Sequence, residues 1–163
     1  MQNEASHQTG ALSLQNLESL YDELFPICRS ITGPGFTESL QILGRLMPIR
    51  IHEVPTGERV FDWTIPKEWR LHKATLHTED GQLILTTDDS NLHVVNFSEP
   101  FSGIVSRAEL DQHLFSLPEI PDAIPYVTSY YKERWGFCLS EEQRKKLPDC
   151  NYKVDIQVEK FNG

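Results

Sequence analysis

Pro48 divides this sequence between two hydrophobic periods. Before it, Leu14, Leu17, Leu20, Tyr21, Leu24 and Ile27 recur every three or four residues, and Leu40, Leu43, Leu46 and Met47 repeat that spacing. Such spacing places apolar side chains on one face of an α-helix. After Pro48 the period shortens to two. Ile49 and Ile51 fall on one side of an extended chain. Leu71, Lys73, Thr75 and His77 share a side in the stretch from Trp69 to Thr78. Near the end, Tyr152, Val154, Ile156 and Val158 alternate with Lys153, Asp155, Gln157 and Glu159. A chain that changes period in this way separates its helices from its strands. The expected class is α+β: two N-terminal helices, then an antiparallel β-rich, sandwich- or meander-like region with short helices.

Local signals set the expected boundaries. Residues 1–12 are polar and predicted to be disordered, and Ser13 suits an N-cap. A helical segment spans 13–48. Pro26 kinks or stops its first helix, and Gly33-Pro34-Gly35 breaks the chain. Thr37 is the expected cap of the second helix, which Pro48 ends. The β-rich part spans 49–163. Within it, Pro55–Glu58 reads as a turn and Asp80-Gly81 as a hairpin turn with its return strand at 82–86. Trp63 and Trp69 flank Pro66 at the start of this region. Leu92–Phe97 reads as a further strand in a meander. Ser106–Glu109 and Ser140–Gln143 are capping-box patterns before short helices. Pro118, Pro121 and Pro125 space out a non-helical segment.

Composition narrows the function classes. The 15 Lys and Arg against 24 Asp and Glu leave a formal charge of −9. That sign speaks against nucleic acid and against an anionic membrane surface as partners. No apolar run nears the roughly 20 residues that cross a bilayer. The polar start carries neither the basic nor the apolar part of a secretory signal. Three widely spaced cysteines, Cys28, Cys138 and Cys150, argue against a disulfide framework and make a reducing cytoplasm the expected setting.

Chemistry-bearing motifs are sparse. His77-Thr78-Glu79 matches half of the zinc deaminase signature, but no P-C-x-x-C completes it. Ser129-Tyr130-Tyr131-Lys132 fits S-x-x-K without its supporting K-T-G and S-D-N elements. Cys28 and Cys138 stand among apolar neighbours and read as small core residues. The glycines form no phosphate-binding loop. The densest stretch is 124–136, which interleaves three tyrosines and a tryptophan with Lys132, Glu133 and Arg134. Such rings either cover a core or line a cleft. Tyr130, Tyr131, Arg134 and Trp135 are the candidates for a cleft or interface.

Four landmarks occur in order: Leu24–Gly33, Val60–Trp69, Ser90–Asn96, and Leu117–Pro125 running on to Cys138. Together they resemble the N-terminal part of a bacterial aminopeptidase-like family of proteins with a domain of unknown function, often associated with polysaccharide biosynthesis. The resemblance covers about residues 15–160. It implies a zinc-dependent aminopeptidase of the transferrin-receptor clan, with an α/β peptidase core, an inserted β-rich domain and a C-terminal winged helix. It also implies that the two helices belong to that core and that the metal ligands lie beyond this chain. No catalytic or metal-binding role is therefore assigned to any residue here, and no cofactor is expected in this chain. Zinc is implied only for full-length members. The expected function is accessory and without catalysis in isolation. A peptide or small molecule is an expected ligand, and self-association or a partner chain could cover the N-terminal helix. Two alternatives stand beside it: a free-standing ligand- or protein-binding β module, and a truncated gene product without function. A truncated product would expose apolar surface on the helix at 14–27.

Overall fold

A computed structural model describes residues 14–163, with side chains from Asn16 onward. The expectations for residues 1–12 and for Ser13 lie outside the described residues. Helix α1 spans Leu14–Leu24 and stops where Pro26 cannot continue it. Helix α2 spans Pro34–Gly44. It starts three residues before the expected cap at Thr37. Pro34 occupies the first turn, where a missing N–H costs nothing, and Gly33 is the N-cap. Its buried positions are Ser39 and Ile42, whereas Leu46 and Met47 of the expected stripe are exposed. The helix ends at Gly44, ahead of the expected stop at Pro48, so Leu46 and Met47 lie beyond it, while Leu40 and Leu43 stay half-buried.

The β region opens with a two-residue ribbon, β1 (Arg59–Val60) against β2 (Trp63–Thr64). The expected strand at Ile49 and Ile51 does not form. Among the described residues, 49–54 have no neighbouring strand to complete their hydrogen bonds, and Ile51 and Val54 are exposed. The main sheet contains β3 (Glu68–Thr78), β4 (Leu83–Thr86), β5 (Phe101–Val105) and β8 (Tyr152–Phe161) in the order β4-β3-β8-β5, all antiparallel. The consecutive pairs of the expected meander are the β1–β2 ribbon and the β3–β4 hairpin. The last strand enters the centre of the sheet, between β3 and β5.

A bulge between Leu71 and Lys73 corrects the reading of β3. Before it, Trp69 faces the core. After it, Ala74, Leu76 and Thr78 do. One extra residue exchanges the two faces, so the side shared by Leu71, Lys73, Thr75 and His77 in a regular strand is broken. In β8, Tyr152, Val154 and Ile156 are buried, as their alternation predicts.

The remaining segments form the other side of the core. Leu92–Phe97 is not a strand. A 3-10 turn at Asn91–His93 leads into a buried extended run tied by isolated bridges, Val94 to Phe137 and Asn96 to Thr128. The short helices α3 (Arg107–Leu110) and α4 (Glu141–Lys145) carry the expected serine caps, and α4 has a complete capping box. Strands β6 (Leu114–Phe115) and β7 (Phe137–Cys138) form a parallel pair. Trp69, Leu76, Leu85, Phe97, Leu110, Phe137, Leu139 and Tyr152 belong to one continuous core cluster.

Three side chain to backbone hydrogen bonds hold the helical segment against the β part. Thr32 donates to the Lys67 carbonyl (3.1 Å), Asn91 to that of Pro26 (3.1 Å) and Asn96 to that of Arg29 (2.8 Å).

Candidate functional site

The aromatic segment divides between two places. Tyr130 and Tyr131 join Trp63 at a cleft of about 430 Å³, together with Pro66, Lys67 and Glu133. The Trp63 indole N–H donates to the Tyr130 hydroxyl at 2.7 Å. The Tyr130 ring stands edge-on to Phe97 (5.5 Å, 80°), which in turn stacks on Trp69 (6.2 Å, 25°). The Trp69 indole donates to the Ser98 carbonyl at 2.9 Å. The cleft floor is therefore braced, ring by ring, from the core. Tyr131 meets Tyr130 edge-on at 4.6 Å and is otherwise 93% exposed. Lys160, paired with Glu99, lies over the Phe97 ring.

Arg134 and Trp135 do not line this cleft. Arg134 donates to the Thr128 carbonyl at 2.9 Å and covers the Phe115 ring at 4.8 Å. Trp135 is held between Phe101 (4.2 Å) and His113 (3.6 Å), nearly parallel to both. Trp135 thus ties the turn before β6 to the edge strand β5, and Arg134 covers β6. Trp63, 67 residues before Tyr130, was legible in the sequence only as an anchor of the β region.

The other motifs resolve into structural roles. Ser129 is buried, and its hydroxyl donates to the Phe97 carbonyl at 2.5 Å. The Lys132 N–H donates to the Ser129 carbonyl at 3.1 Å in a turn outside any helix, while the Ser129 hydroxyl is given to Phe97 and not to Lys132. The S-x-x-K match therefore lacks its proton relay. His93 is buried with its Nδ1 at 2.9 Å from the Cys138 carbonyl. Among the described residues, no group of three His, Cys, Asp or Glu is placed to hold a metal ion.

Burial pushes the Cys138 thiol up to about 12, against a backbone hydrogen bond from Val127 and the nearby Arg134 charge, which lower it. Burial also raises the Cys28 thiol, opposed by Arg29. A neutral, enclosed thiol is a poor nucleophile. Cys138 is expected to resist iodoacetamide at pH 8 in the folded chain and to react fully in urea, read by intact mass and peptide mapping. Alkylation of folded Cys138 at the rate of a free thiol would contradict this.

A second cavity, about 450 Å³, opens between the 25–31 loop with Phe36 of α2 and the 91–96 and 126–127 segments. Phe25 (62% exposed), Ile31, Phe36 and Tyr126 stand open around it. The apolar surface continues onto α1 through Tyr21 (65% exposed), which stacks on Phe25 at 5.7 Å, and Leu17. Ser30 Oγ and Asn96 Oδ1, both from residues lining this cavity, are buried without a hydrogen-bond partner.

These features define an α+β protein with a braced aromatic cleft and an uncovered apolar face. Residues 68–159 match the family described as a domain of unknown function, DUF2172, and the chain belongs to that family. It is 42% identical over 158 residues to a Clostridium acetobutylicum protein, a candidate polysaccharide biosynthesis protein with an aminopeptidase-like domain. That match takes in 97% of this chain and 36% of the relative. The crystal structure of a candidate peptidase from Clostridium acetobutylicum matches with a TM-score of 0.85 at 41% identity, covering 91% of this chain and 35% of that one. The chain thus spans about a third of the length of the relatives it matches. Among the described residues, no helix is long and apolar enough to cross a membrane.

Proposed function

We propose that this chain is the N-terminal helical and β-rich accessory part of an aminopeptidase-like protein, without catalysis in isolation. The observation that carries the reading is the apolar face of Leu17, Tyr21, Phe25, Ile31, Phe36 and Tyr126, exposed among the described residues, a face that a truncated product would expose on the helix as well. A contiguous patch of this kind is a contact surface on a folded protein. The relatives hold about two thirds of their length outside the match, which supports a further part of the same kind of protein as its cover. In this reading residues 13–48 belong to the core of the longer assembly, and 49–163 form the β-rich part. Zinc, where the longer proteins use it, is held by residues outside this chain. The aromatic cleft takes a peptide or small-molecule ligand. The acidic balance supports a partner other than nucleic acid, and the three free cysteines support a reducing, cytoplasmic setting.

The test compares the chain alone with a chimera in which it replaces the matched third of the Clostridium relative. Alone, it is expected to retain no zinc after dialysis and to release no nitroaniline from leucyl-p-nitroanilide. In the chimera, amides of residues 17–36 are expected to gain hydrogen-exchange protection. Stoichiometric zinc with hydrolysis by the chain alone would overturn the accessory reading. Unchanged exchange in a folded chimera would favour the free-standing module.

A further inference from the structure

The aromatic cleft presents free hydrogen-bond donors beside its rings. The Trp63 N–H is spent on the oxygen of Tyr130. The Tyr130 O–H is thereby left to donate, and it meets no acceptor among the described residues. Tyr131 carries a second hydroxyl into solvent, and Lys67 adds an ammonium at the rim. The tyrosine hydroxyls can accept as well as donate, the Lys67 ammonium only donates, and Glu133 supplies a carboxylate at the edge.

The backbone around the cleft is unusual as well. Phe61 (φ 58°) and Phe97 (φ 64°) are the non-glycine residues with positive φ among those described. L-residues with bulky side chains rarely adopt that conformation. Phe97 lines the cleft, and Phe61 is the 94% exposed tip of the ribbon that carries Trp63. Both unusual conformations therefore belong to the elements that shape this one site.

A matching ligand offers flat apolar rings and unspent acceptors. An extended proline-containing peptide has these properties. Its polyproline II backbone makes no internal hydrogen bonds and leaves its carbonyls free. Each proline lacks an N–H and presents a pyrrolidine ring to an aromatic face. Grooves lined by aromatic residues recognise such segments through this chemistry. A basic residue flanking the prolines would meet Glu133. We propose that the cleft formed by Trp63, Pro66, Tyr130 and Tyr131 binds an extended, proline-containing peptide segment. The proposal rests on the reading of this cleft as a ligand site and narrows its ligand to one class.

The full 163-residue chain is titrated with acetylated, amidated decaproline, followed by tryptophan fluorescence and by the indole N–H resonance of Trp63. Parallel titrations use an alanine–serine peptide of equal length and a glucose hexasaccharide. Saturable binding of decaproline, without binding of the alanine–serine peptide, is expected. Tyr131→Ala is expected to weaken it about tenfold, and this side chain is too exposed for its loss to unfold the chain. Tyr130→Phe, which removes only the donor and the Trp63 acceptor, is expected to weaken it less. Binding of the hexasaccharide in place of decaproline would overturn the peptide class while keeping the cleft as a ligand site. No ligand shifting Trp63 would overturn both. Decaproline binding unaffected by Tyr131→Ala would overturn the assigned location.

Discussion

Trp69→Ala is expected to remove about 3–5 kcal/mol of folding stability, the range for truncating a buried aromatic side chain. Trp69 is 2% exposed and belongs to the core cluster. Its loss opens a cavity beneath Phe97, which stacks on it, and leaves the Ser98 carbonyl without its indole donor. The change also removes the foundation of the ring series that ends at Tyr130. Domains of this size have only about 5–15 kcal/mol in total, so the variant should be marginal at room temperature. The measurement is urea unfolding followed by circular dichroism. The midpoint should fall while the slope stays near that of the parent. Trp69→Phe keeps most of the ring volume and deletes the N–H. It is expected to cost less, about 1–3 kcal/mol for the unsatisfied carbonyl with its smaller packing loss. A loss below 1 kcal/mol for Trp69→Ala would mean that the two layers do not meet at this residue.

Gly33→Ala is expected to release the helical segment from the sheet while leaving the sheet folded. Gly33 has φ 124° and ψ 173°, a region that is essentially glycine-only and costs other residues about 1–3 kcal/mol. Space adds to the conformational problem. A Cβ built there lies 2.4 Å from the Trp69 carbonyl oxygen, a backbone atom that cannot rotate away. The Gly33 carbonyl also accepts the first hydrogen bonds of α2, from the Phe36 and Thr37 amides at 3.0 and 3.3 Å. A displaced Gly33 thus disturbs both the helix start and its contact with β3. Hydrogen exchange should accelerate at least tenfold in residues 36–43, a change of about 1.4 kcal/mol or more in local opening. Protection over 152–158 should be retained. Gly44→Ala is the control, since a Cβ there meets nothing within 4 Å. Equal behaviour of the two variants would refute the role given to Gly33.

Much of the β8 and helix-cap chemistry was legible because it is local. The alternation of Tyr152, Val154 and Ile156 is read within one strand, and Ser140 reaches its partner Gln143 three residues away. The bulge in β3 was not legible. Nothing in Leu71, His72 and Lys73 marks the extra residue, which arises from fitting two long twisted strands together. The aromatic candidates were half legible. Density of rings in one segment marked it as unusual, but the neighbours of each ring come from elsewhere in the chain. Tyr130 finds Trp63, whereas Trp135 finds Phe101 and His113.

By itself the sequence determined the α+β class, the capped short helices and the inward face of the last strand. Each depends on residues within a turn or two of one another, where spacing alone fixes direction. Only the tertiary structure decided that β8 fills the centre of the sheet, that Trp63 and Tyr130 share a cleft, and that the face around Phe25 is left open. Those outcomes depend on which distant surfaces meet, and that is set by the summed burial of the whole core, which no local pattern encodes.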